Sequence, residues 1–245
     1  MTGLGAAVTL LTRLPIGAPA TPTPHGALPW FPVVGAVIGL IAAAVYAAGS
    51  LAMSPFLAAA LAVATTVLLT GALHEDGLAD AADAWGGATT REQALRILRD
   101  PQHGTYGVLA LALSVVVRVA ALASLTPIAA VTILPVVHAV SRGALVPILW
   151  ASPPARRDGL ASELALQVSV GAAVLALVVM LAIGGSLVAL WVIPAALVTA
   201  AIVTLVRSVA MRRIGGITGD TLGAAQQLVE IALLVLLAAG GPGSR

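Results

Sequence analysis

Pro32-Val-Val-Gly-Ala-Val-Ile-Gly-Leu-Ile-Ala-Ala-Ala-Val-Tyr-Ala-Ala-Gly-Ser-Leu-Ala52 carries no charged side chain. A helix that crosses a bilayer needs about 20 mostly apolar residues, because lipid cannot hydrogen-bond an open backbone. This stretch meets that requirement, and six more do so to varying degrees. They are Pro55–Leu73, Val108–Leu125, Pro127–Trp150, Leu166–Ile183, Leu187–Val206 and Ala224–Ala239. The last is the shortest. Pro32, Pro55 and Pro127 fit first-turn positions, where a missing N–H costs little. The expected fold is an all-α polytopic membrane bundle of about seven transmembrane helices, a single integral domain over residues 1–245. Leu4–Leu11 is too short to span and suits an interfacial or buried helix.

Charge supports the same reading. Only 9% of the 245 residues are charged, against about 25% in soluble domains. All 12 basic residues are arginine, and the net charge is +2. No basic run is interleaved with aromatics, so nucleic acid is not an expected partner; the lipid bilayer is. Cysteine is absent, which excludes disulfides and thiolate chemistry. No basic residue precedes Leu4–Leu11, and Arg13 follows it, so a cleaved leader is not expected.

The connections differ in kind. Ser50–Ser54, Ser124–Thr126 and Gly184–Ser186 border short uncharged turns. The arm up to Phe31, with four prolines between Pro15 and Pro24, and the segments His74–Gly107, Ala151–Ala165 and Arg207–Gly223 are long and charged. With seven spans these long connections share one side, and only Arg245 falls opposite. The positive-inside rule makes the loaded side cytoplasmic. The chain is therefore expected in the cytoplasmic (inner) membrane of the cell, with its active site facing the cytoplasm. Within 74–107, Thr90 and Gln93 have capping-box spacing, and Asp100-Pro101 stops the helix they would start.

The chemistry concentrates in His74-Glu-Asp-Gly-Leu-Ala-Asp-Ala-Ala-Asp-Ala-Trp-Gly-Gly87, where four of ten acidic residues fall within nine positions. Asp76, Asp80 and Asp83 share one helical face, with Glu75 on the neighbouring face. Such a stripe repels itself unless a cation joins it. Oxygen donors favour Mg²⁺ before Ca²⁺ or Mn²⁺, a set suited to metal-assisted phosphoryl transfer. The plainer reading is a solvated acidic loop. Gly77 allows close approach of a backbone or a phosphate.

Other polar groups map to the same side. Gly104 and Gly107 space the turn Asp100–Gly107 before the third span, whose N–H groups can hold phosphate or simply start a helix. Gly215–Gly223 opens the seventh span and adds Asp220 beside Thr218 and Gly219; Glu230 follows inside that span. Arg118 and Arg142 lie within spans, where charge is costly. They either clamp phosphates or pair with Glu230. His74 suits a base, a ligand or a capping residue, and His103 is similarly open. His138 reads as hydrogen-bonded inside its span and His25 as a loop residue.

These residues resemble the cobalamin synthase family (adenosylcobinamide-GDP ribazoletransferases). The likeness runs from Leu11-Thr-Arg-Leu-Pro15 and Leu28-Pro-Trp-Phe-Pro32 through His74–Asp83, Arg99-Asp100, Gly104-Thr-Tyr-Gly-Val-Leu-Ala110 and Ser141-Arg142 to Gly216-Ile-Thr-Gly-Asp-Thr-Leu-Gly-Ala224 and Glu230. The chain departs from the family pattern at Gln102 and His103, where a basic and an aliphatic residue are expected, and at Ala84, where glycine is common.

The resemblance implies that adenosylcobinamide-GDP reacts with α-ribazole or its 5′-phosphate. A ribose hydroxyl attacks the phosphoryl group next to the cobinamide, GMP leaves, and adenosylcobalamin or its 5′-phosphate forms. It also implies Mg²⁺ and residence in the cell membrane. On this reading Asp76, Asp80 and Asp83, with Glu75, hold the metal, and Asp83 or His74 takes the hydroxyl proton. Arg99, Arg118 and Arg142 bind phosphate charge, and Asp220 with Thr218–Gly219 completes the site. A CDP-alcohol phosphotransferase is the nearest alternative, but its second Asp-Gly and paired-aspartate blocks are missing. A small-solute transporter would use Arg118 and Arg142 along a pathway.

Overall fold

The computed structural model describes residues 3–15, 26–166 and 168–240. The proline-rich part of the arm, His25 and Arg245 lie outside them. Twelve helices follow one another among the described residues: α1 (Gly3–Leu11), α2 (Phe31–Gly49), α3 (Pro55–Thr70), α4 (Leu73–Gly87), α5 (Arg91–Ile97), α6 (Thr105–Ala123), α7 (Pro127–Gly143), α8 (Leu145–Ala151), α9 (Leu160–Ala165), α10 (Val170–Val188), α11 (Val192–Ile214) and α12 (Gly219–Gly240).

Five helical units are long and apolar enough to cross a membrane: Leu28–Gly49, α6, Pro127–Ala151, α11 and α12. The unit made by α3 and α4 is bent by 90° and would make a sixth, and the apolar part of α10 is shorter. Each of the seven expected segments is thus helical, but two fall short of a full span. For Pro55–Leu73 the cause is local. Gly71 and Ala72 both adopt left-handed backbone, with φ of 65° and 58°, which ends α3 and turns the chain into α4. Glycine takes this conformation freely, whereas alanine is strained there by about 1–2 kcal/mol.

Sequence boundaries shift elsewhere too. The turn expected at Gly184–Ser186 is absent, because α10 continues to Val188 and the break comes at a 3₁₀ turn over Ala189–Trp191. The charged segment Arg207–Gly223 is mostly helix: α11 carries Arg207, Arg212 and Arg213 on its last turns. Arginines that read as loop are cations at a helix C-terminus, where the dipole favours them.

Helix starts follow sequence closely. Ser54 and Thr126 accept hydrogen bonds from the N–H groups of Leu57 and Ala129, ahead of Pro55 and Pro127. Thr90 caps α5 by accepting from Gln93 N, while the Gln93 carboxamide reaches Thr89 N at 3.0 Å. Pro127–Ala151 and α12 are the most enclosed spans; α6 and α11 expose most of their apolar surface, as lipid-facing helices do. At the α2–α7 crossing, Gly35 and Gly39 lie against the backbone of His138 and Leu134, with no room for a Cβ. Such small-residue seams are how membrane helices approach closely.

Topology then gathers chemistry at one end of the bundle. The start of α2, the whole of α4 and α5, the start of α6, the end of α7, the end of α11 and the start of α12 all meet there. Because α4 turns 90° from α3, it runs across this end of the bundle.

Candidate active site

Three groups of polar side chains are built around α4. The first faces the open end. Asp76 and Asp80, one helical turn apart, flank His103, whose ring nitrogens lie 3.7 and 3.3 Å from their carboxylates. Asp220 approaches from the first turn of α12. Burial, then the charges of Asp76 and Asp220, push the Asp80 carboxyl up to about 6. Asp76, Asp80 and Asp220 bring three hard oxygen donors to one place, a set of the kind that accepts a divalent cation. Among the described residues, no three His, Asp or Glu side chains already converge as a finished ligand set.

α12 is brought to this place by its cap. Thr218 N donates to Thr221 Oγ1 at 2.9 Å, Thr221 N donates to Thr218 Oγ1 at 3.3 Å, and Thr218 Oγ1 donates to Asp220 Oδ2 at 3.1 Å. The cap therefore aims Asp220. Gly77 packs directly on the backbone of Asp220 and Gly223. Its missing side chain lets two helices touch at the level of the carboxylates.

The second group is structural in geometry. Asp83 is buried, and its two carboxylate oxygens accept from Gly104 N at 2.7 Å and Gly107 N at 2.9 Å. It ties α4 to the entry of α6, so Gly104 and Gly107 present their N–H groups to a side chain of the same chain.

The third group lies beneath, at bilayer depth. Arg118 Nη1 donates to Glu75 Oε1 at 3.0 Å and to Glu230 Oε1 at 3.2 Å. Arg142 Nη1 donates to Glu230 Oε2 at 3.2 Å, which also accepts from Gln226 Nε2 at 2.6 Å and lies 3.2 Å from His138 Nδ1. All are buried. Of the two readings open for Arg118 and Arg142, pairing with Glu230 is the one the geometry displays, and Glu75 joins them. His74 is buried above this network; burial, then the nearby Arg142 charge, push its imidazole down to about 3.

An open cavity of ≈ 210 Å³ lies beside the carboxylates. His74, Asp76, Gly77, Gly219 and Asp220 line it, with leucines of α1, α8 and α9 opposite. Arg99 is elsewhere, paired with Asp158 on the surface at 3.0 Å. Sequence reasoning passed over Arg156, which lines the cavity 3.8 Å from Asp220. It looked like one more arginine on a charged loop, and its signal is spatial only.

Residues 3–238 match the family model described as cobalamin-5-phosphate synthase. The chain belongs to the cobalamin-5-phosphate synthase family. A relative from Bradyrhizobium diazoefficiens, named adenosylcobinamide-GDP ribazoletransferase, is 44% identical over 96% of this chain and 93% of its own. Another of that name from Rhizobium etli is 45% identical over 85% of this chain and 84% of its own. One from Azorhizobium caulinodans is 42% identical over 95% and 93%. No solved structure matches. In this member of the cobalamin-5-phosphate synthase family the carboxylate cluster lies beside a largely apolar cavity.

Proposed function

We propose that this chain joins a ribazole to adenosylcobinamide-GDP at the membrane, releasing GMP and forming a cobalamin or its 5′-phosphate. The family match over residues 3–238 carries the reading, and the polar end of the bundle supplies a place for the reaction. The substrate diphosphate brings concentrated negative charge to Asp76, Asp80 and Asp220, which repel it unless a divalent cation intervenes. These three would hold Mg²⁺, which when bound neutralises the diphosphate and orients its phosphorus for in-line attack.

The chain's own groups do the rest. The attacking ribose hydroxyl loses its proton to the carboxylate cluster, of which Asp76 and Asp220 line the cavity. Asp83 is occupied by two amide donors, and the depressed imidazole of His74 is a weak base, so neither competes well for that proton. Glu75, Arg118, Glu230 and Arg142 hold α4 against α6, α7 and α12 and keep the carboxylates in register. This end of the bundle faces the cytoplasm, where most of the arginines gather.

The test is a product assay on purified full-length protein in lipid nanodiscs, with adenosylcobinamide-GDP, α-ribazole 5′-phosphate and Mg²⁺. Mass spectrometry should find GMP and the joined cobamide in equal amounts. Asp80→Asn should lose at least about 100-fold in turnover. Full turnover by Asp80→Asn with unchanged Mg²⁺ dependence would falsify the metal assignment, and absence of product from folded wild type would sink the reaction itself.

A further inference from the structure

We propose that the cavity beside Asp76 is the acceptor subsite: its leucine wall takes the aromatic base of the ribazole, and Arg156 takes the acceptor's 5′-phosphate. This rests on the ribazole-transfer reading and names which substrate fills which space.

The cavity lining is of two unlike kinds. Leu11 of α1, Phe31 of α2, Leu145 and Leu149 of α8 and Leu164 of α9 are apolar, all buried in the core around it. Asp76, Asp220 and Arg156 are charged. An apolar cavity of about 150 Å³ is enough to bind benzene, so ≈ 210 Å³ has room for part or all of a flat bicyclic base. A ribazole has the same two-ended chemistry, an apolar aromatic ring at one end and a ribose, with or without phosphate, at the other. With the base among the leucines, the ribose hydroxyls reach the carboxylates where the attack must occur. The GDP-activated partner, large and strongly polar, does not suit the leucine wall.

Arg156 is placed as a fixed recognition group. Its loop is clasped from several sides. Ala155 N donates to Ile217 O at 2.8 Å, and Ile217 N donates to Pro153 O at 3.0 Å, a parallel bridge to the turn before α12. Arg91 donates to Ile214 O at 2.8 Å and to Ala155 O at 3.3 Å. Arg207 donates to Ala151 O at 2.8 Å and to Ser152 Oγ at 3.0 Å. These arginines spend their hydrogen bonds on backbone and hydroxyl, holding the loop still. Among the described residues Arg156 itself has only a loose ion pair with Asp220 at 3.8 Å, which leaves guanidinium donors for an incoming phosphate. It is the one arginine lining this cavity among the described residues, and its planar fork matches a phosphate monoester.

The experiment compares α-ribazole with α-ribazole 5′-phosphate, using wild type, Arg156→Gln, Arg156→Lys and Leu149→Trp in nanodiscs. Arg156→Gln should raise KM for the phosphorylated acceptor about 10–100-fold, the size expected for a lost charge-assisted contact. The ratio between the two acceptors should collapse accordingly, while KM for the cobinamide donor holds. Arg156→Lys should recover part of the preference. Leu149→Trp, which crowds the apolar lining, should raise KM for both acceptors. A rise in donor KM with acceptor KM unchanged would assign Arg156 to the donor diphosphate and overturn the proposal. So would a fall in kcat alone, or no change. Binding of radiolabelled α-ribazole 5′-phosphate without donor gives a separate readout. If wild type binds it and Arg156→Gln does not, the subsite stands even where no cobamide forms; if wild type makes cobamide but Arg156→Gln binds acceptor normally, only the subsite falls.

Discussion

Asp80 and Asp83 sit on one stripe of one helix yet should respond oppositely to the same change. The Asp80 carboxyl is raised to about 6, so the folded protein holds that proton more tightly than the unfolded chain does. Ionising Asp80 therefore costs stability, beginning above the ordinary value near 3.8 and complete above about pH 6. Asp80→Asn should remove that cost, raising the melting temperature of the metal-free protein by about 2–4 °C at pH 7.5 while abolishing turnover. Protons also compete with the metal: Mg²⁺ affinity measured by calorimetry should be near half its plateau at about pH 6 and fall roughly tenfold per unit below it. Asp83→Asn, by contrast, gives up a charged acceptor for two backbone donors and should cost about 1–3 kcal/mol, read as a lower melting temperature. The sequence displayed both aspartates at helical spacing but could not separate them. What distinguishes Asp83 is a contact with amides 21 and 24 residues away, and backbone N–H groups leave no trace in residue identity. Arg156 was hidden for a related reason, since only the clasped loop makes it differ from its neighbours.

At the scale of elements, α4 is held from below by a charged network instead of by apolar packing alone. Glu75 belongs to α4, Arg118 to α6, Arg142 to α7 and Glu230 to α12, so four helices share two pairs of opposite charge at bilayer depth. Removing one member leaves a buried charge uncompensated, which costs about 3–5 kcal/mol. Arg118→Met should therefore lower thermal stability in nanodiscs sharply, and Arg118→Met with Glu75→Leu should recover much of the loss. If the single and double variants melt alike, the Arg118–Glu75 contact does not couple these helices. Sequence revealed Arg118, Arg142 and Glu230 as intramembrane charges and offered their pairing as one possibility, because few partners exist at that depth. Glu75 was read with the acidic stripe, since Arg118, with which it pairs, lies on a different helix. The Gly71–Ala72 bend was equally hidden. Uncharged residues run through it from Pro55 to Leu73, and one of its two left-handed residues is an alanine.

Across the whole molecule, the apolar segments were the most legible feature, because lipid leaves the backbone few options and composition alone reports them. Their lengths were less so. Arginines at the end of α11 read as loop, whereas their long side chains let a helix extend past the apolar boundary toward water. The natural lack of cysteine makes sidedness directly measurable. Gln102→Cys and Arg212→Cys should react with an impermeant maleimide only when the inner face of the membrane is accessible. Leu51→Cys, in the α2–α3 turn at the far end, should show the reverse. Labelling of all three from one side would contradict the proposed orientation.

The shortness of α3 has a consequence for the surrounding lipid. Its 16 residues extend only about 24 Å at 1.5 Å per residue, against roughly 30 Å of hydrocarbon. Either the bilayer pinches inward beside α3, or the floor of the reaction chamber is drawn below the headgroups, and each alternative couples membrane thickness to the position of α4. Hydrophobic mismatch costs fractions of a kcal/mol per Å, enough to shift turnover several-fold. The enzyme should run fastest in short-chain lipids and slow as acyl chains lengthen, its catalytic floor reporting the thickness of the membrane that houses it.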